Sequence, residues 1–250
     1  MSVTIKTARE IELMREAGRL LEKVHDELAE FIRPGISTLD IDRFGEKLIR
    51  NFGCPNFLNY NGYPASICVS VNDEVVHGIP KKNRILQEGD IVSLDAGLIY
   101  KGYHSDAART HAVGQISPEA RQLIDVTRQS FFEGIKYAKA GNHLHDISAA
   151  IGNYAQRFGY GVVRDLVGHG IGTHLHEDPQ IPNFAQKRRG VRLIPGMTLA
   201  IEPMINQGRA DVEWLNDDWT VVTQDGSLSA HYENTILITE GEPEILTLTR

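Results

Sequence analysis

The chain has 250 residues, 41% of them hydrophobic and 24% charged, with a formal charge of −7 at neutral pH. That is the mix of a soluble globular protein long enough to bury a sizeable core. No apolar run approaches the ~18 residues of a membrane span, and the acidic balance argues against nucleic acid as the main partner, because phosphate binding needs a basic face. Met1-Ser2-Val3-Thr4-Ile5-Lys6 leads into a charged segment without an apolar signal core, so a cytoplasmic location is expected. Cys54 and Cys68 are too few for a disulfide framework or a Cys-based zinc site. The one basic run, Lys187-Arg188-Arg189, reads as a solvated loop.

Thr7-Ala8-Arg9-Glu10 is a capping-box start, in which the Thr hydroxyl takes an amide and Glu10 reaches back. Ile11, Met14, Leu21, Val24, Leu28 and Ile32 then recur at helical spacing until Pro34-Gly35 stops the helix. A second helix starts near Ser37, with Ile41, Phe44 and Leu48 on one face, and ends at Gly53. Ser66 to Val71 reads as a strand. Ile91 to Tyr100 and Tyr103 to Val113 read as two arms of a hairpin turning at Lys101-Gly102.

The order then repeats. Ser117-Pro118-Glu119 opens a helix that runs to about Lys139, and a further helix spans Leu144 to Phe158, closing at Gly159-Tyr160-Gly161. Strand-like segments follow at Gly161–Val167, Met197–Ile205, Val212–Val222 and Ser229–Thr239. The expectation is a single α+β catalytic domain over 1–250, an antiparallel sheet covered by helices. An internal pseudo-twofold repeat would relate halves of about 1–113 and 117–250.

Five residues in or beside these strands could ligate a metal. Asp95 interrupts the apolar Ile91–Gly97 stretch, and Asp106 lies on the other hairpin arm, so folding the turn brings the two within a residue or so of register. Two carboxylates that close repel unless a proton or cation lies between them. His169 sits between Gly168 and Gly170, which would let the backbone approach whatever the imidazole holds. Glu202 lies in Leu199–Met204, an apolar strand, and Glu233 lies in His231–Ile236, at the start of another. Singly, each has an ordinary explanation as a turn, loop or exposed residue; burying an unpaired acid, however, costs several kcal/mol (~2–7 for a polar group, more for a charge). Four acids supply a charge of about −4, which two divalent cations would neutralise, and an oxygen-rich set with one imidazole suits harder ions.

The ordered set Asp95, Asp106, His169, Glu202, Glu233, with its flanking sequence, resembles the ligand set of the methionine aminopeptidases, shared with prolidases and X-Pro aminopeptidases. Asn72–Pro80 is similar to the family's segment bearing a catalytic histidine, here His77. Gly168–Pro179 is similar to the segment carrying the ligand histidine and, seven residues on, a substrate-contacting histidine, here His176. Asn61–Cys68 is similar to the wall of the methionine pocket. The likeness covers nearly the whole chain from Thr7 and is to the type I, bacterial-type enzymes with the pita-bread (creatinase/aminopeptidase-like) fold.

That resemblance implies removal of the initiator methionine when the second residue is small. It implies two divalent metal ions (Co²⁺, Mn²⁺, Fe²⁺ or Zn²⁺), with Asp95 holding one and Asp106 and Glu233 bridging the pair. His169 and Glu202 would complete the other, and Glu202 would also accept a proton from the attacking water. His77 and His176 would contact the scissile peptide, and Tyr60, Tyr63, Cys68, Leu175 and Trp219, with Phe57 nearby, would form the methionine pocket. The implied partners are the N-terminal peptides of nascent polypeptides and the ribosome that carries them, with no DNA and no membrane, and the chain is expected to be a monomer.

Two departures stand out. Gly97 occupies a position where several family members have threonine, so a hydrogen bond made there must come from elsewhere. Leu175 replaces an aromatic, so a looser pocket wall is expected. Two rival readings remain: an X-Pro aminopeptidase with the same metals, and a non-catalytic binding module on the same fold.

Overall fold

A computed structural model describes residues 3–248; Met1 and Ser2, the start of the stretch read above as lacking a signal core, lie outside the described residues. Helices α1 (Ala8–Phe31) and α2 (Thr38–Arg50) come first, each begun by a capping box, Thr7 with Glu10 and Ser37 with Asp40. Strands β1 (Cys54–Pro55), β2 (Ile67–Val71), β3 (Glu74–Val76), β4 (Ile91–Tyr100) and β5 (Tyr103–Ala112) follow. Helix α3 (Pro118–Ile135) is capped by Ser117 and α4 (Leu144–Gln156) by His143 with Asp146. Then come β6 (Gly161–Val162), β7 (Gly168–Gly170), β8 (Glu177–Ile181), β9 (Thr198–Ile201), β10 (Met204–Asn206), β11 (Val212–Trp214), β12 (Val221–Thr223), β13 (Ser229–His231), β14 (Glu233–Leu237) and β15 (Glu244–Ile245).

The main sheet runs β1-β4-β5-β14-β9-β7-β8, with β2 also on β4 and β15 on β14, and every pairing in it is antiparallel. This is the pita-bread architecture, with the helices packed on one face of the sheet. Alternation along the strands divides that face from the other. Val92, Leu94, Ala96 and Leu98 of β4 enter a core with Leu21, Val24 and Leu28 of α1 and Ile41 and Ile49 of α2. Leu199 and Ile201 of β9 and Ile236 of β14 pack with Phe131 of α3 and Ile147 and Ile151 of α4. Residues of opposite parity on β4, β5, β14 and β9 are left to face the far side, where the candidate site forms.

Several expectations shift. The third helix ends at Ile135, short of Lys139, because the amides of Tyr137 and Ala138 bond back to Gly134 and Ile135 in a tighter turn. The strand expected over Met197–Ile205 breaks between Ile201 and Met204, where Pro203 has no amide to give the ladder. Val212–Val222 is two short strands joined through a loop that carries Trp219, and Ser229–Thr239 divides at Tyr232. Gly161–Val167 holds only the two-residue β6. Lys187, Arg188 and Arg189 are exposed as expected, although Arg189 reaches Asp146 at 2.8 Å. No helix among the described residues is long and apolar enough to cross a membrane.

Phe131 is fully buried and meets the Tyr232 ring edge-on at 5.4 Å. Phe131→Ala leaves a cavity between α3 and the sheet and is expected to lower unfolding stability by about 3–5 kcal/mol in urea titration. A change under about 1 kcal/mol would show that this core collapses around the loss.

Candidate metal centre and substrate pocket

The β4–β5 hairpin turns at Lys101 (φ 49°) and Gly102 (φ 86°), both in the left-handed region that a two-residue turn of this hand requires. Register follows: Asp95 pairs with Ala108, and Asp106 pairs with Gly97. The two acids are therefore two residues out of register, further apart than the expected one. The even offset keeps both on one face, whereas an odd one would put them on opposite faces.

The same row continues across the sheet. Ala108 pairs with Glu233 on its other side, and Asn234 pairs with Ile201, so one step beyond that pair Glu202 stands beside Glu233. His169 pairs with Ala200, two residues from Glu202. Five adjacent strands, β4, β5, β14, β9 and β7, thus each bring one candidate ligand to the same face. Oxygen and nitrogen atoms of Asp106, His169 and Glu233 lie within 4.8 Å of one another. His169 Nε2 is 3.5 Å from Glu202 Oε1 and 3.9 Å from Asp106 Oδ2.

The glycines beside His169 let β7 lie close to its neighbours. A Cβ on Gly168 would meet the Ala200 carbonyl oxygen at 2.4 Å, and one on Gly170 would meet that of Asp178 at 2.2 Å. The imidazole is oriented by its own Nδ1, 2.9 Å from the Gly170 carbonyl oxygen, which turns Nε2 towards the acids.

Electrostatically the cluster is incomplete as protein alone. Among the described residues no Lys or Arg side chain forms an ion pair with any of the four acids, and Asp95 Oδ1, Asp106 Oδ1 and Glu233 Oε1 are buried without a partner. Burial pushes the Asp95 carboxyl up to about 7, and burial with neighbouring acids raises Asp106 and Glu233. Glu202 rises for the same reasons. Burial, with His176 nearby, holds His169 down at about 3, so its ring is neutral and free to ligate. Orphaned oxygens, a neutral imidazole and unbalanced charge are what a cation site requires, and the donor set fits divalent metal.

All the residues singled out in the sequence line one cavity of about 130 Å³: Asp95, Asp106, His169, Glu202 and Glu233 on its floor, His77 and His176 at its side, and Phe57, Tyr60, Tyr63, Cys68, Leu175 and Trp219 around its apolar end. Tyr63 and Trp219 meet edge-on at 5.1 Å, and Tyr63 donates to the Gly78 carbonyl at 2.8 Å. Tyr60 Oη lies 2.8 Å from His176 Nδ1. Leu175 is 1% exposed and packs with Phe57, Tyr63 and Cys68. Cys54 and Cys68 are free thiols. A second groove, about 440 Å³, shares His77, His169, His176 and Glu202 with the first and leads away past Val167, Asp178 and Gln180.

Asn61, at the start of the stretch similar to the pocket wall, lines the cavity, and Asn59 and Asn61 hold left-handed φ of 65° and 49° in the loop that carries Tyr60. Two residues escaped the sequence reading. Asn56 is buried against Gly97. His231 is buried with neither ring nitrogen hydrogen-bonded, its Nε2 3.8 Å from Glu202 Oε2, and nothing local in its sequence marks it.

A metallopeptidase is the class that this floor and cavity define, and the chain belongs to metallopeptidase family M24, whose model matches residues 12–240. It is 54% identical to the methionine aminopeptidase of Clostridium acetobutylicum over 247 residues, 98% of this chain and 99% of that protein. The crystal structure of methionine aminopeptidase from Thermotoga maritima superposes with a TM-score of 0.96 at 45% identity, covering 99% of this chain and 100% of that one. The Xaa-Pro dipeptidase of Bacillus anthracis is more distant, with a TM-score of 0.80 and 27% identity over 98% of this chain but 62% of its own.

Proposed function

We propose that the chain is a type I methionine aminopeptidase that removes the initiator methionine from new polypeptides when the second residue is small. The observation that carries this is the continuity of one small cavity, with an apolar, sulfur-bearing end and an acidic floor. At about 130 Å³ it is well below the ~300–1,000 Å³ of a general ligand pocket and suits a single side chain. Tyr63, Cys68 and Trp219 offer aromatic faces and a thiol to an unbranched thioether, and no charged residue stands at that end.

Asp95, Asp106, His169, Glu202 and Glu233 would hold two divalent cations, Mn²⁺, Fe²⁺, Co²⁺ or Zn²⁺. When bound, such a pair lowers the pKa of the attacking water and polarises the carbonyl. The acidic floor also receives the substrate's free amino group, which brings only the first peptide bond within reach. Glu202 accepts the proton of the attacking water. His77 and His176, where the cavity meets the open groove, hydrogen-bond the scissile peptide and crowd the next residue. The enzyme would act in the cytoplasm as a monomer, on N-terminal peptides presented at the ribosome.

Short peptides varied at their first two positions test this reading in the presence of Mn²⁺, Fe²⁺ or Co²⁺. Met-Gly, Met-Ala and Met-Ser starts should be cut, and Met-Lys and Met-Phe starts left intact. Leucine or norleucine in first position should be cut slowly, since a methylene in such a pocket is worth about 1–3 kcal/mol. Release of whatever residue precedes proline would establish the X-Pro aminopeptidase reading instead, and metal binding without turnover of any peptide would establish the binding module.

A further inference from the structure

Gly97 lies on the site face of β4, two residues after Asp95 and directly opposite Asp106 in the ladder. A side chain there would stand beside both carboxylates. That space is filled from a different segment. A Cβ on Gly97 would lie 1.9 Å from Asn56 Nδ2, 2.1 Å from its Oδ1 and 2.3 Å from its Cγ, so the Asn56 amide occupies the place of a residue-97 side chain. The amide is fixed over the hairpin: the Asn56 backbone N–H donates to the Gly97 carbonyl at 3.4 Å, and Nδ2 donates to that of Ser105 at 3.3 Å.

Asn56 is 4% exposed, yet its amide is only half used. Nδ2 carries two hydrogens and Ser105 takes one. Oδ1 has no partner, and the Oδ1 atoms of Asp95 and Asp106 lack partners as well. An apolar residue of the same shape would fill the space without leaving buried polar atoms unpaired, so this amide is a poor choice for packing alone.

We propose that Asn56 is a positioning residue for the acidic floor. Its second Nδ2 hydrogen, unused in this structure, would donate to the Asp106 carboxylate across the ladder once a cation holds that acid ionised, fixing which oxygen lone pairs face the ion. The hydrogen bond that Gly97 cannot make would then come from residue 56. This rests on the metal reading given above, because the orientation matters only to an ion held by Asp95 and Asp106.

Calorimetric titration of the metal-free protein with Mn²⁺ reads the effect directly, with the thermal midpoint of the metal-free protein recording whether each variant folds. Asn56→Leu keeps the branched shape, with somewhat more bulk, and removes the amide, and should weaken Mn²⁺ binding by about 10–100-fold, the usual effect of losing a group that orients a metal ligand. The double variant Asn56→Ala with Gly97→Ser supplies a hydroxyl from the strand side and should recover most of that loss. Mn²⁺ affinity in Asn56→Leu within about twofold of the parent, far short of that range, would overturn the proposal. So would a loss that the double variant repeats in full, since a packing defect would then be responsible. A parent protein that binds no Mn²⁺ would overturn the metal reading itself, an outcome distinct from either.

Discussion

Asp106→Asn is expected to abolish peptide cleavage and to empty both metal positions together. Asp106 is 3% exposed on β5, between the strands of Asp95 and Glu233, with His169 Nε2 3.9 Å away. Asparagine keeps the volume but removes a charge and one anionic oxygen, so neither cation retains its shell. Bound metal and Met-Ala peptide turnover, measured on one preparation, decide the matter. Full occupancy with near-normal turnover in this variant sinks the ligand assignment.

The metal-free protein gives the prediction a second arm. Burial raises the Asp95 carboxyl from 3.8 to about 7 in the folded state, and Asp106 is raised with it. A folded-state value above the unfolded one means the folded chain holds more protons between the two, so stability falls as pH rises from about 4 to about 7. Asp106→Asn removes one repelling acid. Its metal-free thermal midpoint should exceed that of the metal-free parent at pH 7 and vary less with pH. Metal should reverse that order, because only the parent gains from binding.

Helix starts were legible because caps are local chemistry: Thr7 with Glu10, Ser37 and Ser117-Pro118 act within one turn of chain. The hairpin was legible for the same reason, its turn lying between two β-rich runs. What lay beyond reach was set by pairing across distance. Nothing in the chain order puts Glu233 beside Ala108, or Glu202 beside Glu233, although those neighbours create the acidic floor. Acids in apolar strands and the family resemblance suggested the five ligands; their common face follows from register, and a one-residue slip in the hairpin would have dispersed them. Asn56 was invisible for a related reason, since its role depends on an empty Cβ position more than forty residues away.

His77→Ala should retain both metals while turnover falls by roughly 10²–10⁴, the range for a positioned acid–base or polar group. The ring borders both the small cavity and the open groove, where the proposed function places the scissile bond. Burial and the nearby His176 ring hold it at about 4, so it is neutral at pH 7 and acts as a hydrogen-bonding imidazole rather than a cation. Trp219 meets it edge-on with centroids 6.3 Å apart, limiting its rotation. Its backbone has φ 58°, a left-handed conformation uncommon outside glycine, asparagine, aspartate and histidine and concentrated at functional sites. Alanine at that φ adds strain of its own, so His77→Gly is the companion variant, removing the ring while accepting the backbone. Equal losses in both variants, with metal content unchanged, assign the effect to the imidazole. Near-normal turnover in His77→Gly would leave the ring without a part in the reaction, and loss of metal in that variant would move His77 into the coordination shell.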